Sequence, residues 1–132
     1  MIRVCIDTSA YSNLLRGHPA AIESLRRAPW LGVPAVVLGE LRAGFASGRR
    51  RKENEATLRE FLARPVVQVL DVDDRASAIY GDIWAALRAV GTPLPTNDVW
   101  IAAVAAREGA TVVTYDAHFA GIERVATMIL ES

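Results

Sequence analysis

Two aspartates stand directly after short apolar runs of the kind that forms buried β-strands. Asp7 follows the run 2–6, and Asp116 follows the run 111–115. The carboxyl ends of parallel strands meet at one edge of a sheet, which is where ligands bind in such folds. We therefore expect both carboxylates at the same edge, although a single aspartate there would be read as a turn residue or a helix cap.

Glu40 lies within a predicted helix and shares a face with small and apolar residues. Its neighbours three and four positions away are Val36, Val37, Ala43 and Gly44. Burying a lone carboxylate is costly, so this side chain needs hydrogen-bond donors, a cation or an arginine ion pair.

Asp98 opens a second predicted helix on the face that carries Ile101, Ala102 and Ala105. Aspartate is also common at helix starts, so this carboxylate is either a cap or part of a site. Together, four inward-facing carboxylates without lysine or histidine among them favour a divalent metal, and oxygen ligands suit Mg²⁺ or Mn²⁺. Without a cation, their mutual repulsion would raise their pKa values.

Alternating strands and helices would hold these groups in place. Apolar runs predict strands at 2–6, 30–33, 66–70, 111–115 and 128–130. The intervening pattern predicts helices at 10–16, 19–28, 34–46, 49–63, 73–90 and 98–108, with Thr8 or Ser9 capping the first. This alternation indicates an α/β fold with a parallel sheet covered on both faces.

The composition limits the class of protein. The chain has 132 residues, of which 52% are hydrophobic and 23% charged, so we expect one folded domain over residues 1–132. Fifteen basic residues balance fifteen acidic ones, which disfavours nucleic-acid binding by bulk charge. Neither a membrane span of about 20 apolar residues nor a signal-peptide pattern is present, which predicts a cytoplasmic protein.

Four segments together resemble a PIN domain of the VapC type, the toxin of bacterial VapBC toxin–antitoxin pairs. They are Asp7-Thr8-Ser9, Glu40-Leu41 with Gly44, residues 97–103 and residues 114–119. The resemblance covers essentially the whole chain. It implies a PIN-like three-layer sandwich with a five-stranded parallel sheet flanked by helices. It also implies an endoribonuclease that uses Mg²⁺ or Mn²⁺ to activate the water that hydrolyses RNA.

The resemblance assigns roles to individual positions. The family's acidic positions match Asp7, Glu40, Asp98 and Asp116 one for one. Asp7 and Asp116 would be primary metal ligands, with Glu40 and Asp98 completing the site directly or through water. Thr114 matches a hydroxyl position that supports the last aspartate. Ser9 stands where many members carry asparagine, and it would have a similar supporting role.

Partners also follow from the resemblance, namely a VapB-like antitoxin that blocks the site and a second copy in a homodimer. Apolar residues of the second predicted helix and its surroundings either form the antitoxin groove or pack on the sheet; they are Leu14, Leu15, Ile22, Leu25 and Trp30. The helix 98–108 is apolar nearly all round. Either both of its sides are buried in the monomer or one side forms the dimer contact.

Arg49, Arg50, Arg51 and Lys52 form a basic cluster at the start of a predicted helix. This cluster is either a solvated helix end or, because cations at this end oppose the helix dipole, a contact for RNA phosphates.

Other α/β proteins with strand-end aspartates fit less well. A phosphoacceptor receiver domain needs a lysine near its site, but Lys52 is far from every strand end. A haloacid-dehalogenase-like phosphatase needs an aspartate where Ser9 stands. A PIN-like domain that only binds RNA or protein remains the alternative, and metal-dependent cleavage would separate the two.

Overall fold

The computed structural model describes residues 2–131 and has a five-stranded sheet at its centre. The strands are β1 (Val4–Ile6), β2 (Leu31–Pro34), β3 (Val67–Leu70), β4 (Thr111–Thr114) and β5 (Thr127–Ile129). They pair in the order β3-β2-β1-β4-β5, and each pairing is parallel. The predicted α/β class and five-stranded parallel sheet are therefore confirmed.

Six α-helices connect and cover these strands. They are α1 (Thr8–Leu15), α2 (Pro19–Leu25), α3 (Ala35–Ala46), α4 (Arg51–Leu62), α5 (Asp74–Ala89) and α6 (Thr96–Arg107). A short 3₁₀ helix, Ala117–Gly121, follows β4 and was not expected from the sequence. Because α1 follows β1 directly and α3 follows β2 directly, both helices begin at the carboxyl edge of the sheet.

The central strand β1 is buried along its whole length, as its apolar sequence predicts. Cys5 and Ile6 are fully buried. Residues on both neighbouring strands align with it, with Cys5 beside Gly32 of β2 and Val112 of β4. The acidic residue that follows β1 is consequently attached to the end of a buried central strand.

Helix α6 is buried on both sides within the monomer. Its residues Ile101–Ala105 are almost completely inaccessible to solvent. Trp100 is half-buried and stacks on Tyr80 of α5, with ring centroids 4.0 Å apart. The apolar circumference of α6 is therefore explained by packing inside one copy of the chain.

Three helices start two residues away from their predicted positions, and one of them is α4, which begins at Arg51 and not at residue 49. Helix α1 begins at Thr8 and is capped by Asp7, so the prediction that Thr8 or Ser9 caps a helix from residue 10 was wrong. Helix α6 begins at Thr96 after Pro95, two residues earlier than predicted. Asp98 therefore lies inside the first turn of α6 and is not its cap.

No helix within residues 2–131 combines the length and the apolar character that crossing a membrane requires.

Candidate active site

Asp7 is held by hydrogen bonds on both carboxylate oxygens. Its side chain is at the carboxyl end of β1, and the residue is 5% exposed. Oδ1 accepts from the Ala10 backbone N–H at 2.9 Å and from the Ser9 hydroxyl at 2.8 Å. Oδ2 accepts from the Thr114 hydroxyl at 2.5 Å. These donors compensate for much of the cost of burying the charge and fix the orientation of the carboxylate.

Ser9 and Thr114 join the ends of β1 and β4. The Thr114 hydroxyl, which donates to Asp7, also accepts from the Asp116 backbone N–H at 2.9 Å. The Ser9 hydroxyl oxygen accepts from the Tyr115 backbone N–H at 3.0 Å. The two residues predicted to support the site thus lie between the two strand-end aspartates.

Glu40 projects from α3 and is half-buried. Its Oε1 accepts a hydrogen bond from the Thr8 hydroxyl at 2.8 Å. No arginine pairs with it among residues 2–131, so the ion-pair alternative is not supported. The sequence pattern predicts Thr8 only as a helix cap. The available signal was its position between two residues predicted to belong to the site.

The pKa of Asp98 indicates that the other three acids lie nearby. Burial raises its pKa from 3.8 to about 6, and the charges of Asp116, Glu40 and Asp7 contribute in the same direction. Nearby like charges raise a carboxyl pKa because they disfavour its ionised form. The other three predicted site acids therefore lie within electrostatic reach of Asp98.

The pKa of Asp7 is also raised, chiefly by burial. Hydrogen bonds from Thr114, Ala10 and Ser9 oppose this effect because they favour the ionised form, while the charge of Asp116 adds to it. Repulsion among the acids is thus present at two separate positions of the site.

His118 contacts Asp116 in a way that the sequence pattern did not indicate. Its backbone N–H donates to Asp116 Oδ1 at 2.9 Å, and its ring Nδ1 lies 2.9 Å from the same oxygen. The ring itself is largely exposed. The Asp116 carboxylate is consequently held on one oxygen by the 3₁₀ segment that follows it.

The donor set of the site fits a divalent cation in its chemistry. Four carboxylates supply only oxygen donors, which Mg²⁺ and Mn²⁺ prefer, and a cation would offset their repulsion. Over the described part of the chain, however, no three Asp, Glu, His or Cys side chains stand close enough to form a ready-made metal cluster. The predicted ligand set therefore stays a prediction.

The basic cluster and the predicted groove both lie on the surface. Arg49, Arg50, Arg51 and Lys52 are exposed, and Arg50 forms an ion pair with Glu53. The cluster begins just before α4, and only Arg51 and Lys52 are helical.

A pocket of about 270 Å³ lies between α2 and the β3 edge of the sheet. Leu14, Ile22 and Leu25 line it, so three of the five predicted groove residues share one cavity. Leu15 is exposed elsewhere, and Trp30 packs under the guanidinium of Arg3.

The five-stranded parallel sheet with its connecting helices defines the class of α/β domains, and comparison with known families identifies the family. Residues 4–125 match the PIN domain family, so this chain belongs to the PIN-domain family.

Individual relatives are similar over most of their length. The chain is 27% identical over 131 residues to Ribonuclease VapC2 of Rickettsia felis, covering 96% of this chain and 95% of that protein. It is 31% identical over 94 residues to Ribonuclease VapC4 of Mycobacterium tuberculosis, covering 71% and 72% of the two chains.

Solved structures show the same architecture. VapBC2 from Rickettsia felis, bound to a promoter DNA fragment, matches with a TM-score of 0.86 at 24% identity, covering 99% of this chain and 100% of that chain. VapBC-5 from Mycobacterium tuberculosis, a member of the VapBC toxin–antitoxin family, matches with a TM-score of 0.78 at 28% identity, covering 98% and 100%.

Proposed function

We propose that this protein is a VapC-type toxin, a ribonuclease that hydrolyses RNA phosphodiester bonds with the help of Mg²⁺ or Mn²⁺. The observation that carries the proposal is the link between the two strand-end aspartates through Thr114, whose hydroxyl donates to Asp7 and accepts from the Asp116 backbone N–H. The pKa of Asp98, raised to about 6 by burial and by the charges of Asp116, Glu40 and Asp7, supports it. The ribonuclease names of two relatives, which match 96% and 71% of this chain, support the reaction class.

In this proposal Asp7 and Asp116 are the primary ligands of the cation. Asp7 is suited to this role because three donors fix its carboxylate, and Thr114 couples its position to that of Asp116. Glu40 and Asp98 complete the site, directly or through water, and one of them orients the attacking water.

The divalent cation would lower the pKa of a water molecule and offset negative charge on the reacting phosphate. The side chains of this protein do the rest. Buried hydrogen bonds hold Asp7 in one orientation. Asp98 and Glu40 would act from α6 and α3, two helices that both pack on β2. Such preorganised groups need little rearrangement when the substrate binds.

The same proposal includes the partners and the compartment. Several similar structures are VapBC toxin–antitoxin complexes, which supports a VapB-like antitoxin for this chain. The pocket lined by Leu14, Ile22 and Leu25 offers that antitoxin an apolar docking surface. We include a homodimer, a single domain over residues 1–132 and a cytoplasmic location, where RNA substrates are available.

Cleavage of a mixed pool of structured RNA by purified, antitoxin-free protein tests the proposal. We expect cleavage with Mg²⁺ or Mn²⁺ and none with EDTA. Asp7→Asn should abolish it while the fold survives, because asparagine is also a good helix N-cap. The exposed Asp82→Asn variant is the matched control and should cleave as wild type does. Folded wild-type protein that is inactive in both metals would contradict the proposal and favour a domain that only binds RNA or protein.

A further inference from the structure

The Thr8 hydroxyl is not used to cap the helix in which it lies. Threonine near a helix start commonly caps the helix with its side-chain oxygen. Here Asp7 takes that position and accepts the hydrogen bond from Ala10, while Thr8 is already the first residue of α1. The Thr8 side chain therefore does not stabilise the start of its own helix.

Instead, the Thr8 hydroxyl donates to Glu40 Oε1 at 2.8 Å across 32 residues of sequence. Within the described residues it is the one hydrogen-bond donor to this carboxylate. Glutamate has a long side chain with several rotatable bonds, so a single contact decides which way its carboxylate faces. The contact also links α1, which follows β1, to α3, which follows β2.

We propose that Thr8 is a positioning residue, whose hydroxyl holds the Glu40 carboxylate in the orientation in which it completes the divalent-cation site. This inference rests on the function proposed above. It assigns Thr8 a role comparable to that of Ser9 and Thr114, but toward a different acid. All three residues of the Asp7-Thr8-Ser9 segment then serve the site, since Ser9 bonds to Asp7 and Thr8 bonds to Glu40.

Two pairs of variants isolate the hydroxyl. Thr8→Val keeps the branched shape of threonine and removes the hydroxyl, whereas Thr8→Ser keeps the hydroxyl and removes the methyl group. Thr8→Ala differs from Thr8→Ser by the hydroxyl alone, so the comparison survives if Thr8→Val does not fold. Thr57→Val is the matched control, because the Thr57 hydroxyl bonds only to a backbone carbonyl on the exposed side of α4.

The readout is the affinity of each folded protein for Mn²⁺, measured by titration calorimetry without RNA. Partners of metal ligands typically affect metal affinity by about 10- to 100-fold. We therefore expect Thr8→Val and Thr8→Ala to weaken Mn²⁺ binding about tenfold. Thr8→Ser and Thr57→Val should bind as wild type does. In a Glu40→Ala background, Thr8→Val should cause no further loss, since the group that it positions is gone.

Three results would overturn the inference. The first is an unchanged Mn²⁺ affinity in Thr8→Val and Thr8→Ala, and the second is an equal loss of affinity in Thr8→Ser and Thr8→Val. The third is that Thr8→Val causes its full loss of affinity in the Glu40→Ala background as well. Each of these leaves the wild-type metal site intact and the proposed function standing. Wild-type protein that binds no Mn²⁺ and cleaves no RNA would instead overturn the proposed function together with the inference.

Discussion

At the scale of single residues, the candidate site contains two carboxylates, Asp98 and Asp7, whose ionised forms are disfavoured. Burial and the neighbouring acids raise the pKa of Asp98 to about 6, and burial raises that of Asp7. At Asp7, the hydroxyls of Ser9 and Thr114 offset part of this cost by donating to its two carboxylate oxygens. The buried carboxylates thereby lower the free energy of unfolding, and a bound cation would offset this loss. Such strongly shifted pKa values are typical of functional sites.

This arrangement predicts how stability depends on pH in the presence of EDTA. The unfolded chain loses the Asp98 proton near pH 3.8, whereas the folded protein keeps it up to about pH 6. The folded state therefore binds more protons between these values, and the free energy of unfolding falls as the pH rises through this window. Asp98→Asn should make the protein more stable than wild type at pH 7 and comparable to it at pH 4.

Urea unfolding of both proteins at the two pH values measures this difference. Asp82→Asn, at an exposed carboxylate on α5, is the control and should track wild type at both. An Asp98→Asn protein that gains nothing at pH 7 would show that burial and the other three acids together do not disfavour the ionised form of Asp98.

At the scale of elements, the strand that leads into the Glu40 helix is closely packed at Gly32. Gly32 of β2 lies beside Cys5 of β1, and β2 leads directly into the helix that carries Glu40. A Cβ atom at Gly32 would lie 2.7 Å from Leu70 Cδ1 and 2.9 Å from ring atoms of Trp30. The glycine is therefore required by packing and not by an unusual backbone conformation.

Gly32→Ala should accordingly reduce the free energy of unfolding by about 1–3 kcal/mol, because Leu70 and Trp30 must move in a closely packed core. Gly44→Ala is the opposite case. Gly44 lies inside α3, and no atom lies within 4 Å of a Cβ added there. The substitution should therefore increase the free energy of unfolding by up to about 1 kcal/mol. Urea titrations of both variants check the prediction. A Gly32→Ala protein as stable as wild type would contradict the packing argument.

The sequence predicted the strands and most helices because their apolar patterns are strong. It misplaced the start of α1 because Asp7, Thr8 and Ser9 are all good N-cap residues, and their types alone do not rank them. The 3₁₀ segment after β4 was missed because five residues carry too little periodicity to detect.

One part of the candidate site, the sheet edge that carries two of its acids, could also be predicted from the sequence. Asp7 and Asp116 follow apolar strands, so the edge that they share could be inferred from topology alone. The bond between Thr8 and Glu40 could not be inferred in this way. It depends on the angle at which α1 and α3 leave the sheet, and that angle is decided by packing between segments distant in sequence.

At the scale of the whole molecule, the proposed function requires an acidic site to receive a polyanionic substrate on a chain of zero net charge. Attraction for RNA therefore has to come from local basic groups away from the carboxylates. The exposed cluster at residues 49–52 is a candidate, and Glu53 already neutralises Arg50 in part. This leaves Arg49, Arg51 and Lys52 as the cations that we expect to contact phosphates.

Replacing Arg49, Arg51 and Lys52 together with alanine should weaken RNA binding and flatten its dependence on salt. Each lost phosphate contact lowers the slope of log K against log salt by about 0.7 for single strands, so the triple variant should lose up to about 2. Fluorescence anisotropy in EDTA measures binding without cleavage. Alanine at Arg27, Arg59 and Arg75, which are also exposed, controls for the change in net charge. Equal salt slopes in the two triple variants would exclude the cluster as an RNA contact.

The most direct test of the account is whether the four acids act as one divalent-cation site. Mn²⁺ binding would be measured by titration calorimetry for wild type and for Asp7→Asn, Glu40→Gln, Asp98→Asn, Asp116→Asn and the control Asp82→Asn. We predict that each of the four site variants weakens binding by at least about tenfold, while the control binds as wild type does. Site variants that bind Mn²⁺ as tightly as wild type would contradict the account.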